Sequence, residues 1–282
     1  SLGLVGSEMC IRDSPYGLIA VPMAWLQKRF IINFVENVEL QLNKNNLRLR
    51  SKLRSNIIVY LAKFCLSKAN LVFTSYEESR DLLVGKDSKK THIIPYVNLM
   101  EDELISEKEA EQLWDEKMRS IIPIKIGLAS RLTASKGVGV LLDALQKIIA
   151  EDVPLEFDIY GAGELENECR KLEANSTKNT NINFKGTLPY TSVFFDMLKR
   201  YHLMVIPSLS DEQPILLFDC FSQATPVLAS KTLGMAKYVA EGNGFLVEPG
   251  NVEELAAAIR MIANDPSSVS YTHLRAHETE AD

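Results

Sequence analysis

Hydrophobic and polar positions change rhythm once along the chain, near Pro123. Beyond it, short apolar runs alternate with longer segments whose apolar residues recur at helical spacing. IKIGLA (124–129), LEFDIYG (155–161), INFKG (182–186), YHLMVIPS (201–208), PVLAS (226–230) and GFLVEP (244–249) predict strands. The segments 137–150, 164–174, 191–200, 215–224 and 252–263 predict helices. Strands separated by helices of this length predict a parallel, doubly wound α/β sheet, which binds ligands in the loops after its strands. The first half is less regular. GLIAVP (17–22) and FIINFVE (30–36) read as strand-like around a helical MAWLQKR (23–29). Asn46 caps a predicted helix over 47–67; LVFTS (71–75) and HIIPYVN (92–98) predict strands around a helix at 76–83. Residues 100–120, rich in charge and free of Gly and Pro, predict a helical connector.

One stretch combines a strand, a polar loop and a helix that is apolar nearly all round: Pro207 to Ser230. Pro214 suits the first turn of that helix. The loop carries Asp211 and the helix carries Asp219, eight positions apart. An ionised carboxylate among Leu216, Leu217, Phe218, Cys220 and Phe221 is costly unless paired. Asp219 is therefore either a structural acid satisfied by nearby backbone N–H groups or an acid that faces a ligand.

Two further loops qualify. Arg131 and Lys136 bracket the step from the first strand after Pro123 into its helix, and two cations beside a helix N-terminus suit a phosphate or diphosphate. Plain solvation is the other reading, and GxxxxGK[ST] is absent. Gly161 and Gly163 let the backbone approach a ligand closely or simply turn; position 166 is Glu166, so a dinucleotide fingerprint is incomplete.

Composition narrows the classes. Hydrophobic residues make up 46% and charged residues 24%, as in soluble globular chains. The net charge of −6 gives no reason to expect nucleic-acid binding. Between Glu39 and Glu77 there are seven bases (Lys44, Arg48, Arg50, Lys52, Arg54, Lys63 and Lys68) and no acid. This stretch, 44–68, reads either as a solvated helix face or as a peripheral contact with anionic lipid. The ends stand apart: residues 4–14 and 269–278 read as opposite strands of one DNA string resembling a sequencing-library adaptor. Residues 1–14 and 267–282 are accordingly expected to be read-through, which sets aside Cys10 and the His273–His277 pair. Cys65, Cys169 and Cys220 then remain, with neither disulfide framework nor zinc spacing, which favours a reducing, cytoplasmic setting. The expected organisation is a partial first Rossmann-like domain with connector over 15–121 and a second over 122–266.

At this point the motifs carry a resemblance. RLTASKG, GAG, FKG, the PS after a strand, Asp211-x7-Asp219, TPVLAS and NGFLVEPGN occur in order. This succession resembles the C-terminal domain of glycosyltransferase family 4, the group 1 glycosyl transferases of the GT-B fold. The resemblance implies a retaining enzyme that moves a sugar from a nucleotide-diphosphate donor, UDP- or GDP-linked, to a glycan or lipid-linked acceptor. It implies that Arg131 and Lys136 hold the donor diphosphate and that Gly161 and Gly163 lie near the nucleotide. Asp211 would stand by the donor sugar, with Gln213, Pro214 and Ile215 in the intervening loop. Asp219 would accept hydrogen bonds from ribose hydroxyls. No metal and no cofactor besides the donor is expected, and Glu36 is a further cleft candidate. The chain departs from the pattern in having Asp for Glu twice, Glu212 for Gly, Ala224 for the helix-ending Gly, and Lys237 where Glu is frequent. A nucleotide-sugar epimerase of the same fold and a non-catalytic nucleotide-sugar binder are the rival readings.

Overall fold

The structure is a computed structural model that describes residues 8–11, 17–35, 60–61, 63–74, 80–81, 84–85, 88–94, 99, 103–119, 123–209, 215–239 and 243–269. It separates into two compact units, residues 1–96 and 97–282.

The first unit holds a four-stranded parallel sheet, β1 (Glu8–Ile11), β2 (Phe30–Val35), β3 (Leu71–Thr74) and β4 (Thr91–Ile93), in that order. β1 comes from the segment set aside above and pairs with β2. GLIAVP is not a strand: Gly17–Leu26 is one helix, α1, with Pro22 inside it. A short apolar run has no periodicity that separates strand from buried helix, and here the helical MAWL simply extends upstream. Residues 63–68 are helical as expected; positions 47–59 lie outside the described residues. Lys90 Nζ closes the end of that helix by donating to the carbonyls of Leu66, Ser67 and Ala69 at 2.8, 2.9 and 3.0 Å. Cations suit a helix C-terminus, where carbonyls lack intrahelical donors.

The second unit begins with α2 (Glu107–Arg119) and continues as the regular alternation read from the sequence. Its strands are β5 (Ile124–Ala129), β6 (Leu155–Tyr160), β7 (Thr180–Gly186), β8 (Leu203–Ile206), β9 (Val227–Ser230) and β10 (Gly244–Val247). All pair in parallel, in the order β10-β9-β8-β5-β6-β7. The helices are α3 (Val138–Ala150), α4 (Glu166–Ala174), α5 (Ser192–Leu198), α6 (Ile215–Ser222), α7 (Leu233–Ala236) and α8 (Val252–Asn264). Thr232 caps the short α7, its hydroxyl accepting from the Met235 N–H.

Alternate strand positions feed two cores. Ile126, Leu128, Phe157, Ile159 and Leu203 face Leu141, Leu145, Leu255 and Ile259 of α3 and α8. Met204, Ile206, Val227 and Ala229 face Phe195, Leu217 and Phe221 of α5 and α6. β8 and β9 are buried at every position, so neither has a polar side, and both read as continuous apolar text. The connector packs into the first of these cores: Trp114 of α2 is 3% exposed and donates its Nε1–H to the Ala224 carbonyl at 3.0 Å. Val269, inside the downstream segment set aside above, is also buried there.

Candidate functional site at the sheet's switch point

Strand order reverses direction between β5 and β8, the place where open α/β sheets leave a crevice at their carboxyl ends. Two loops meet there. The loop after β5 runs through a 3₁₀ turn (Ala134–Lys136) to Gly137, which caps α3 with φ 69°. A Cβ on Gly137 would lie 1.8 Å from the Pro207 carbonyl oxygen, on the loop after β8. The Leu209 N–H donates to the Ser135 carbonyl at 3.0 Å and ties the loops again. Arg131 is exposed and Lys136 half-buried on this turn, beside the first N–H groups of α3. Such groups have no intrahelical acceptor and favour an anion.

The loop after β6 supports the turn from the other side. Leu132 N–H donates to the Ala162 carbonyl at 2.9 Å and Leu165 N–H to the Leu132 carbonyl at 3.1 Å. Gly161 and Gly163 permit this approach: Cβ atoms there would stand 1.9 Å from Ser130 O and 2.5 Å from Leu132 O. Their lack of a side chain is thus already required by the neighbouring loop of the same chain. Glu164, which sequence reasoning passed over, accepts from the Ala134 N–H at 3.2 Å.

Asp219 sits on α6, 2% exposed. Its Oδ1 accepts from the Tyr190 hydroxyl at 2.8 Å, and no other hydrogen bond reaches the carboxylate among the described residues. The partner is a side chain rather than the backbone N–H groups of the plain reading. Burial pushes the carboxyl up to about 7; Tyr190 opposes the rise and Glu103 adds to it. Tyr190 lies between β7 and α5 and packs on Phe194 and Phe195, with ring centroids 5.2 and 5.5 Å away. Only its place in a loop after a strand pointed to it. Ile215, the first residue of α6, is exposed. Asp211, Gln213 and Pro214, like Glu36 and Glu212, lie outside the described residues.

α6 ends in a left-handed residue, Ala224, with φ 47°. Thr225 N–H returns to the Cys220 carbonyl at 2.9 Å and Ala224 N–H to Phe221 at 2.9 Å, the helix-ending pattern for which Gly is the usual residue. A second buried polar set lies in the core that α5 and α6 share. Tyr201 donates to Asp158 Oδ2 at 2.6 Å, which the missing side chain of Gly127 on β5 allows, and burial raises its phenol far above the usual range. Lys117 of α2 donates to the Tyr201 carbonyl at 2.7 Å, and burial brings its amine down to about 7. Among the described residues no group of three or more His, Cys, Asp or Glu could hold a metal ion, and no helix is long and apolar enough to cross a membrane.

The family model described as "Glycosyl transferases group 1" matches residues 123–265, half of the chain and the whole of this site. The chain belongs to the group 1 glycosyl transferases. Among curated relatives of this family member, poly(ribitol-phosphate) alpha-N-acetylglucosaminyltransferase of Staphylococcus aureus is 24% identical over 142 residues, covering 50% of this chain and 28% of that protein. An amylovoran biosynthesis glycosyltransferase of Erwinia amylovora is 24% identical over 158 residues, covering 52% and 38%. The match therefore spans well under two thirds of these relatives. Among solved structures, Anabaena HepE in complex with UDP superposes with TM-score 0.68 at 18% identity, covering 95% of this chain and 72% of that one. Sucrose-phosphate synthase of Thermosynechococcus elongatus superposes with TM-score 0.69 at 18% identity, covering 97% and 68%. Parallel sheets in both units and these likenesses give the GT-B fold expected from the sequence.

Proposed function

We propose that this group 1 glycosyl transferase is a retaining enzyme of family 4. It moves a sugar from a UDP- or GDP-linked donor to a glycan or lipid-linked acceptor in cell-envelope polysaccharide synthesis. The observation that carries the reading is the joint at the switch point, where Gly137 holds the Arg131–Lys136 turn against Pro207. Transfer breaks the bond between the sugar and the diphosphate, so negative charge grows on the leaving group. Arg131, Lys136 and the N–H groups opening α3 are fixed charges and dipoles where that growth can be stabilised. Asp219 fits the ribose role because a buried carboxylate with one hydrogen bond keeps unused acceptor capacity. Gly161 and Gly163 border the nucleotide, and Asp211 with Gln213, Pro214 and Ile215 borders the sugar. No cofactor besides the donor is assigned.

The names of the relatives, which include poly(ribitol-phosphate), amylovoran biosynthesis and colanic acid biosynthesis transferases, support the envelope context. The cytoplasmic setting is proposed with it. So is a peripheral contact of 44–68 with anionic lipid; its described part places Tyr60, Leu61 and Phe64 at the surface, with Lys68 Nζ 4.6 Å from the Trp25 ring. Equal recovery from sedimentation with anionic and with neutral liposomes would remove that contact.

Incubating the protein with UDP- and GDP-sugars and glycan or lipid-linked acceptors, followed by proton NMR of the anomeric signals, tests the reading. Donor-dependent product with the donor's anomeric configuration is expected. Isomerised sugar without transfer would identify an epimerase, and tight binding without turnover a binding protein.

A further inference from the structure

The turn that carries Arg131 and Lys136 already holds an anionic oxygen of the chain itself. Glu164, on the loop after β6, accepts through Oε1 from the Ala134 N–H at 3.2 Å. Ala134 stands three positions after Arg131 and two before Lys136. The turn does not need this bond for its shape. Leu132 is tied to Ala162 and Leu165 by backbone bonds of 2.9 and 3.1 Å, and Gly137 N–H closes the turn on the Ala134 carbonyl at 3.0 Å. Leu209 N–H holds the Ser135 carbonyl at 3.0 Å. The Glu164 bond is exposed, where water competes for both groups and little net stability results.

What Glu164 adds, and a backbone group cannot, is a full negative charge on a turn with two cations. Charge is also what separates the donor from the product. A nucleotide-diphosphate sugar carries one negative charge on each phosphate. In transfer the bond from the sugar to the diphosphate oxygen breaks, and the electron pair stays on that oxygen. The acceptor oxygen takes the sugar and gives its proton to solvent. The new terminal phosphate loses its second proton near about pH 6, so at neutral pH the product carries a further negative charge. A fixed carboxylate nearby repels the product more than the donor.

We propose that Glu164 sets the balance between donor and product at this turn: its charge disfavours the released nucleoside diphosphate more than the nucleotide sugar, and so promotes exchange of one for the other. This rests on the nucleotide-sugar reading above and adds to it a residue that discriminates between two ligands of the same site.

The test measures the affinity of UDP, GDP, UDP-glucose and GDP-mannose for the whole chain and for Glu164→Gln, which keeps an oxygen for the Ala134 N–H and removes only the charge. The variant should bind the preferred nucleoside diphosphate about fivefold more tightly and its nucleotide sugar about threefold, with both gains shrinking as salt is raised. Glu168→Gln removes the same charge from an exposed position further along α4 and should change either affinity by less than about twofold. Unchanged affinities in Glu164→Gln overturn the proposal, and so does an equal gain for diphosphate and nucleotide sugar. A loss of affinity would make Glu164 a strut of the turn, and an equal gain in Glu168→Gln would make overall charge the cause; either result also overturns it. If the parent binds none of the four ligands, the nucleotide-sugar reading itself has failed, and the proposal fails with it.

Discussion

Gly137 and Gly139 stand two positions apart and are constrained in opposite ways. Gly137 is left-handed and has no room for a Cβ against Pro207; Gly139 lies within α3 with nothing within 4 Å of a built Cβ. Gly139→Ala should therefore raise stability by about 0.5–1 kcal/mol, since it removes freedom from the unfolded chain alone. Gly137→Ala should lower it by at least about 1–2 kcal/mol and part the two loops, with nucleotide affinity lost alongside. Chemical denaturation of the two variants checks this; equal effects would mean that the loop joint is absent. Asp219 gives a pH dependence. The native carboxyl holds its proton up to about 7, whereas its ordinary value is 3.8. The native state thus binds more protons between those values, and stability falls as pH rises through the window. Asp219→Asn has no such titration. Its stability relative to the parent should improve by roughly 2–3 kcal/mol between pH 5 and pH 8. The groups facing this carboxyl, Tyr190, Glu103 and Cys220, are present in both proteins. A difference that does not change with pH would place Asp219 in a far more polar setting than its burial indicates.

At the scale of elements, α2 acts as a strap on the second unit. Its Trp114 bonds the carbonyl of Ala224, a left-handed residue at the end of α6 whose own methyl packs with Ile105 and Ala110. Left-handed geometry costs a non-glycine residue about 1–2 kcal/mol, and the buried methyl offsets part of that. Trp114→Phe keeps most of the ring but leaves the Ala224 carbonyl without its donor, so urea unfolding should show a loss of about 1–3 kcal/mol. No loss would mean that α2 is held by other contacts. These ties also mark what the sequence could and could not say. The central strands β8 and β9 were legible because both faces of each are buried, and the helices α3 and α8 because they carry one apolar stripe each. α1 was misread because an apolar run containing Pro22 has no period to betray it. Residues such as Arg131 and Lys136 were visible by charge and position. The Tyr190–Asp219 hydrogen bond was not, because it joins side chains 29 positions apart at 2.8 Å. The glycines at 161 and 163 were visible, but their close partner, the loop at Ser130 and Leu132, was not.

At the scale of the whole molecule, the proposed chemistry falls at the carboxyl ends of the second unit's strands, at the switch point between β5 and β8. The loops after β5, β6 and β8 are locked together by backbone contacts, so the cations sit on a frame that need not reorganise when charge develops. The most direct test of this account is a calorimetric titration of UDP and GDP into the whole chain and into the Arg131→Ala, Lys136→Ala double variant. A diphosphate held by two charge-assisted contacts should lose about a hundredfold or more in affinity, with the fold intact by circular dichroism. Unchanged affinity in the double variant would contradict the assignment of the switch-point turn as the donor diphosphate site.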